Sequence, residues 1–196
     1  MGAPQGRPAL FLDRDGTINR EVDYLARVDD LELIPGAAEA IARANAAGWL
    51  VVVYTNQSGI ARGMLSEADL TAIHLALDDR LAAVGATIDR YEFCPHHPEV
   101  GAAPYRADCD CRKPKPGMLL AAAAAMDIDL GRSAAVGDSI RDLDAARTAG
   151  VPTRFLVETG KGAGQKDRLA ADDHLVSDLA AAVERLLGNL DVPDHG

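Results

Sequence analysis

A doubly wound parallel α/β sheet is the fold class this sequence predicts, and three observations predict it. Short aliphatic or β-branched runs alternate with stretches of helical periodicity. The runs are too short to be helices, and the first, second and fourth pass directly into loops rich in Asp, Asn, Thr, Ser and Gly. The chain has 196 residues, 48% of them hydrophobic and 26% charged, which suits one packed domain over 1–196 rather than a disordered chain.

The elements follow in order. Ala9-Leu10-Phe11-Leu12 is a buried strand running into an acidic turn. Pro35-Gly36 precedes a helix from Ala37 to Ala47, which Gly48 terminates. Leu50 to Tyr54 is a second buried strand. Ser66 can cap a helix whose apolar positions Leu70, Ile73, Leu77 and Leu81 recur at helical spacing until Gly85. Ile88 to Phe93 reads as a third strand, and no periodicity follows between Pro95 and Pro116. Met118 to Met126 is helical, Ala134 to Val136 a strand, and Ile140 to Ala149 a helix closed by Gly150. Thr153–Val157 and His174–Val176 are the last strands, with Ser177 capping a final helix to Leu187 and a frayed tail from Asn189 to Gly196. In sheets of this kind ligands bind beyond the carboxyl ends of the strands, where the polar motifs fall.

Charge narrows the function classes. Lys and Arg total 20 against 30 for Asp and Glu, a formal charge of −10, which argues against bulk electrostatic binding to nucleic acid or an anionic membrane but leaves room for a local basic pocket. The longest apolar run, Met118 to Met126, is mostly alanine and far short of a membrane span. Met1 to Pro8 has no signal-peptide core, and Gly6 stands where a myristoylation motif needs Ser or Thr. The expectation is a cytoplasmic monomer acting on a small molecule.

Four motifs carry chemistry. After the first strand come Asp13-Arg14-Asp15-Gly16-Thr17: two carboxylates one residue apart that can share a crevice, or an ordinary Asp-Gly turn. The second strand ends in Thr55-Asn56-Gln57-Ser58-Gly59, donors suited to a phosphate. Arg112-Lys113 precedes Pro114 and can hold that phosphate, while Lys115 reads as a solvated surface lysine. The fourth strand runs into Gly137-Asp138-Ser139-Ile140-Arg141-Asp142, where Asp138 and Asp142 can bind Mg²⁺ or Asp138 can cap the helix.

All 3 cysteines lie between positions 94 and 111, an odd and clustered set unlike a disulfide scaffold. With His96, the thiols of Cys94, Cys109 and Cys111 make the four ligands of a closed structural zinc site, and His97 is an alternative ligand. His96 is favoured for its spacing, which mirrors that of the cysteine pair. A loop of about twenty residues without periodicity needs such a fastening. Four protein ligands leave no open position for chemistry, so the zinc is structural and places Arg112 and Lys113, which follow Cys111 directly.

From Leu10 to about Gly162 the order acid pair, Thr, Lys, acid resembles the haloacid dehalogenase (HAD) superfamily of phosphatases, with its Rossmann-like sheet. The resemblance implies that Asp13 is a nucleophile forming an aspartyl-phosphate and that Asp15 is general acid and then base. It further implies that Thr55 and Lys113 bind the phosphoryl group. Asp13, the backbone carbonyl of Asp15, and Asp138 would hold Mg²⁺, with Asp142 outside that set. A phospho-acceptor signalling domain is the non-enzyme alternative; an acid pair with Gly16-Thr17 after the first strand favours turnover.

Cys94-Pro95-His96-His97-Pro98 and Cys109-Asp110-Cys111-Arg112-Lys113-Pro114 are similar to a zinc-containing group within the superfamily, made up of heptose bisphosphate phosphatases and histidinol-phosphate phosphatases. Thr55-Asn56-Gln57-Ser58-Gly59-Ile60-Ala61-Arg62-Gly63 and Gly117-Met118-Leu119-Leu120 match the heptose members; the histidinol members carry an acidic residue where Ser58 stands. The implied reaction is removal of the C7 phosphate of a heptose 1,7-bisphosphate, with histidinol phosphate as the alternative substrate. Substrate contacts would fall on Glu21, Val22, Asp23, Tyr24, Thr55, Asn56, Gln57, Ser58, Arg112 and Lys113. The chain departs from the pattern at Glu21 and Val22, and Ser139 stands where some relatives have Lys. Only one helix fits between Thr17 and Val51 and another between Gly63 and Ile88, so no cap domain is expected. The pocket should be open, with Arg112 as a second basic contact for a doubly phosphorylated sugar.

Overall fold

The structure is a computed structural model that describes residues 6–188. Six strands form one parallel sheet: β1 (Ala9–Leu12), β2 (Leu50–Asn56), β3 (Arg90–Cys94), β4 (Ala134–Gly137), β5 (Thr153–Val157) and β6 (His174–Val176), in the spatial order β3-β2-β1-β4-β5-β6. Five helices surround it: α1 (Ala37–Ala46), α2 (Glu67–Ala82), α3 (Gly117–Met126), α4 (Ile140–Ala149) and α5 (Leu179–Gly188). Strand order reverses between β1, which leads to β2 on one side, and β4 on the other, so the crevice opens at the ends of these two strands.

Alternation along the central strands explains the double winding. Leu10, Leu12, Val51 and Val53 pack in one core with Ile41 of α1, Ile73 and Leu77 of α2, and Val183 of α5. Phe11, Val52 and Tyr54 point to the opposite face, against Met118 and Leu119 of α3 and Ala145 and Ala146 of α4. Both faces being covered, β1 and the first six residues of β2 are buried throughout, which is why they read as continuous apolar runs.

Local contacts decide where three elements start. The third strand begins at Arg90 rather than Ile88: the Asp89 amide donates to the Val51 carbonyl at 2.8 Å, but the Val51 amide donates to the Asp89 carboxylate at 2.7 Å. The last helix is capped by Asp178, whose Oδ1 accepts from the Ala181 amide at 2.9 Å; the Ser177 hydroxyl donates to Asp178 instead. At α4 the cap is Ser139, in a capping box with Asp142, so Asp138 is not a helix cap. The expected Ser66 cap of α2 is present, as a capping box with Asp69.

No second layer covers the carboxyl ends of the strands among the described residues, so the fold has no cap domain. No helix there is long and apolar enough to cross a membrane. The readings of Met1 to Gln5 and of the tail from Asn189 to Gly196 fall outside the described residues.

Candidate active site

Three of the four polar motifs sit where a strand ends. Asp13 follows β1 and is locked to β4 by its amide, which donates to the Val136 carbonyl at 2.9 Å. Thr55 and Asn56 end β2, and Asp138 follows β4. Lys113 comes from the long loop between β3 and α3 and inserts its ammonium beneath them, 3% exposed.

That ammonium organises the centre. Lys113 Nζ lies 2.8 Å from Asp13 Oδ1, 2.7 Å from Asp142 Oδ1 and 2.9 Å from the Tyr54 carbonyl oxygen. Burial works against its charge, but Asp13 and Asp142 outweigh that and raise its pKa, so it stays protonated. Burial pushes the Asp13 carboxyl up to about 8; Lys113 opposes this, and Asp142, Asp138 and Asp15 add to it. Burial likewise moves Asp138 up to about 6, with Asp142 and Glu21 adding repulsion.

Oxygens of Asp13, Asp138 and Asp142 lie within 4.8 Å of one another. Three carboxylates facing one ammonium leave a formal deficit of two positive charges, that of a single divalent cation, and an all-oxygen donor set suits Mg²⁺. The other oxygen of Asp142, Oδ2, accepts from the Ser139 amide at 2.9 Å, so both its oxygens are engaged and it buttresses Lys113. Asp138 Oδ2 accepts from the Lys161 amide at 2.8 Å. A side chain at Gly16 or at Gly160, both at positive φ, would run into the Asp138 carboxylate, so these two glycines make its room.

Asp15 lies apart from the ammonium. Its carboxylate accepts from Arg14, from Asn19 Nδ2 at 3.0 Å and from Gln57 Nε2 at 3.0 Å. Burial alone would raise its pKa, but Arg14 and the two amides hold it below the ordinary carboxylate value. Arg14 is wholly buried, with its third nitrogen 3.4 Å from His74 Nε2.

Pocket-lining residues bound an open cleft of about 380 Å³ over this centre, and every expected phosphate or sugar contact lines it. Their side chains divide, however. Asn56 bonds the Lys113 backbone at both ends of its amide, at 3.1 and 3.2 Å, and Gln57 donates to Asp15 and Thr55, so these two position other groups. Val22 and Tyr24 are part-exposed at the rim. The cleft also holds cations the sequence reading missed, Arg62, Arg141 and Lys161, the last paired with Glu21 at 3.1 Å. Lys161 lies between two glycines just after β5. The strand-end rule, applied to β5, was the signal that could have found it.

The loop after β3 begins beside the site, because Asn56 pairs with Cys94 and the Gln57 amide donates to the Cys94 carbonyl at 2.8 Å. Cys94, His96, Cys109 and Cys111 converge, with sulfur separations of 3.5 and 3.3 Å and His96 Nδ1 3.5 Å from Cys111 Sγ and 3.8 Å from Cys94 Sγ. These are too long for a disulfide, and a tetrahedral zinc with bonds of about 2.3 Å to sulfur and 2.0–2.1 Å to nitrogen has edges of about 3.6–3.8 Å. The residues therefore fit zinc. His97 takes no part: its Nδ1 accepts from the Glu99 and Val100 amides, and its ring lines the cleft.

A parallel sheet with this acid, lysine and acid cluster at its switch point defines a phosphatase of the HAD superfamily, and residues 110–182 match the HAD-hydrolase-like family. The chain is 41% identical to the D-glycero-beta-D-manno-heptose-1,7-bisphosphate 7-phosphatase of Photorhabdus laumondii over 92% of this chain and 97% of that one. It is 46% identical to the D-glycero-D-manno-heptose-1,7-bisphosphate 7-phosphatase of Thermosynechococcus vestitus, over 94% and 97% respectively. The crystal structure of D,D-heptose 1,7-bisphosphate phosphatase from B. bronchiseptica, complexed with magnesium and phosphate, superposes with a TM-score of 0.85 at 41% identity, over 93% of this chain and 99% of that one. The chain belongs to the D-glycero-D-manno-heptose 1,7-bisphosphate 7-phosphatase family.

Proposed function

We propose that this phosphatase removes the C7 phosphate of D-glycero-D-manno-heptose 1,7-bisphosphate, using Mg²⁺ at the carboxylate cluster and structural zinc in the loop after β3. The observation that carries the reading is the buried cluster of Asp13, Asp138, Asp142 and Lys113 at the ends of β1 and β4, in a chain whose relatives bear that activity. When bound by Asp13, Asp138 and the Asp15 carbonyl, Mg²⁺ offsets the negative charge of the phosphoryl oxygens.

The chain's own residues do the rest. Lys113 favours the ionised form of Asp13 against the burial that opposes it, aims its carboxylate, and with Thr55 receives the phosphoryl oxygens. An Asp13 carboxylate oxygen forms a bond to phosphorus as the bond from phosphorus to the C7 oxygen breaks, and the protonated form of Asp15, the minor form in the free site because Arg14, Asn19 and Gln57 lower its pKa, gives that oxygen its proton. The resulting Asp15 carboxylate, held by Arg14, Asn19 and Gln57, then takes a proton from water. The water oxygen bonds to phosphorus, the bond to Asp13 breaks, and inorganic phosphate leaves.

Phosphate release from both anomers of the heptose bisphosphate and from histidinol phosphate, with Mg²⁺ or with chelator, tests the reading. Mg²⁺-dependent turnover with a preference for the heptose bisphosphate is expected. A preference for histidinol phosphate, or full activity after chelation, would overturn it.

A further inference from the structure

Along α2 the buried stripe runs Leu70, Ile73, His74, Leu77 and Leu81, an imidazole among aliphatic side chains. A polar ring at such a position costs free energy unless a polar partner meets it. The partner is Arg14, 60 positions away, whose Nη1 lies 3.4 Å from His74 Nε2. A guanidinium keeps its protons, so Arg14 donates and the neutral ring accepts at Nε2, with its own proton on Nδ1. Burial, and then the charge of Arg14, keep the ring neutral.

The other edge of the same guanidinium grips Asp15. Arg14 Nε lies 3.2 Å from Asp15 Oδ1, and Nη2 lies 2.9 Å from Oδ1 and 2.8 Å from Oδ2. Both carboxylate oxygens are thus tied to one rigid plane, and a turn of that plane swings the whole carboxylate. Arg14 is wholly buried, and among the described residues His74 is the acceptor that meets its remaining nitrogen. The imidazole is itself held. It stacks on Tyr91 of β3 with an interplanar angle of 14°, and the Tyr91 hydroxyl donates at 2.7 Å to Asp78, one turn further along α2.

We infer that His74 is a positioning residue for catalysis: by accepting from Arg14 it fixes the guanidinium plane and so aims the Asp15 carboxyl at the oxygen that leaves phosphorus. This rests on the reading of Asp15 as the group that protonates that oxygen. His74 does not line the cleft; it acts through Arg14, two side chains away from the reacting atoms.

Two substitutions separate positioning from packing. His74→Phe keeps a flat ring against Tyr91 and removes the acceptor. His74→Gln removes the ring and places an amide oxygen near the position of Nε2. Rapid-quench measurement of leaving-group release gives the first-step rate with the heptose bisphosphate and with nitrophenyl phosphate, for wild type, both variants and Asp15→Asn, and thermal unfolding ranks their stability. In His74→Phe the first step with the heptose bisphosphate should slow about tenfold, part of the roughly 10²- to 10⁴-fold that a general acid supplies, with KM little changed. Nitrophenyl phosphate, whose leaving group needs no proton, should lose less than about twofold. His74→Gln should recover most of the rate although it is the less stable protein. A wild-type rate on the heptose bisphosphate in His74→Phe, equal losses on both substrates, or rates that follow stability across the two variants would overturn the clamp. Asp15→Asn slowing both substrates equally would instead overturn the acid role of Asp15 on which the clamp depends.

Discussion

Lys113 and Asp13 stand 100 positions apart in the chain, yet their side chains meet at 2.8 Å, in a contact closed by Asp142 on the other side of the ammonium. The loop that delivers Lys113 is held by two devices: the four-residue thiol and imidazole cluster, and the Asn56 amide, which bonds the Lys113 amide and carbonyl. Placement of this buried ammonium therefore depends on Asn56 and on the thiol and imidazole cluster.

Asn56→Ala should separate these contributions. It deletes two hydrogen bonds to the Lys113 backbone, so stability should fall by about 1–3 kcal/mol. Displacement of Lys113 by about 1 Å should lower kcat on the order of a hundredfold. Urea denaturation alongside steady-state kinetics checks both; a destabilised enzyme with wild-type kcat would show that the loop holds Lys113 without Asn56.

Cys109→Ser should loosen the loop from Pro95 to Pro116 and misplace Arg112 and Lys113, while Asp13 and Asp138 remain fixed by the sheet. Activity should drop and added Mg²⁺ should not restore it. Metal analysis of the wild type should find about one tightly held zinc per chain, and turnover supported by zinc without Mg²⁺ would contradict the structural role.

Asp15→Asn should abolish most turnover of sugar phosphates, whose leaving oxygen is strongly basic. With an aryl phosphate the loss in the first step should be smaller, because that leaving group needs no proton. Burst kinetics, which isolate the first step, read the difference; equal losses for both leaving groups would argue against proton donation by Asp15.

His74 predicts a pH effect on stability. Burial, and then the charge of Arg14, push its imidazole down from 6.5 to about 3. Between those values the unfolded chain binds the proton and the folded one does not, so stability falls as pH drops below 6.5. The ring stacks on Tyr91 with centroids 4.2 Å apart, so His74→Phe should keep the packing and flatten this acid slope. Thermal unfolding of both proteins from pH 7 to pH 4 measures it, and parallel slopes would show that other groups carry the effect.

Much of this molecule was determined by sequence-local physics. The apolar run Ala9-Leu10-Phe11-Leu12, the capping Ser66 and the closing Gly150 act over a few residues, and a strand too short to be a helix, buried on both faces, announces a parallel sheet. The same locality put Asp13, Thr55 and Asp138 at strand ends and made Cys94, His96, Cys109 and Cys111 a ligand set. What needed the tertiary structure was every choice between neighbours of like chemistry. His96 rather than His97 joins the thiols because two backbone amides claim His97 Nδ1. Asp142 rather than Asp138 is bound to the ammonium and the helix start. Asn56 and Gln57 turned out to hold protein groups, and Arg62, distant in sequence from the loop after β3, was brought to His97. Residue type tells what a side chain can bind; which partner reaches it first depends on distances of a few ångströms between segments tens of residues apart, and only the packed sheet sets those.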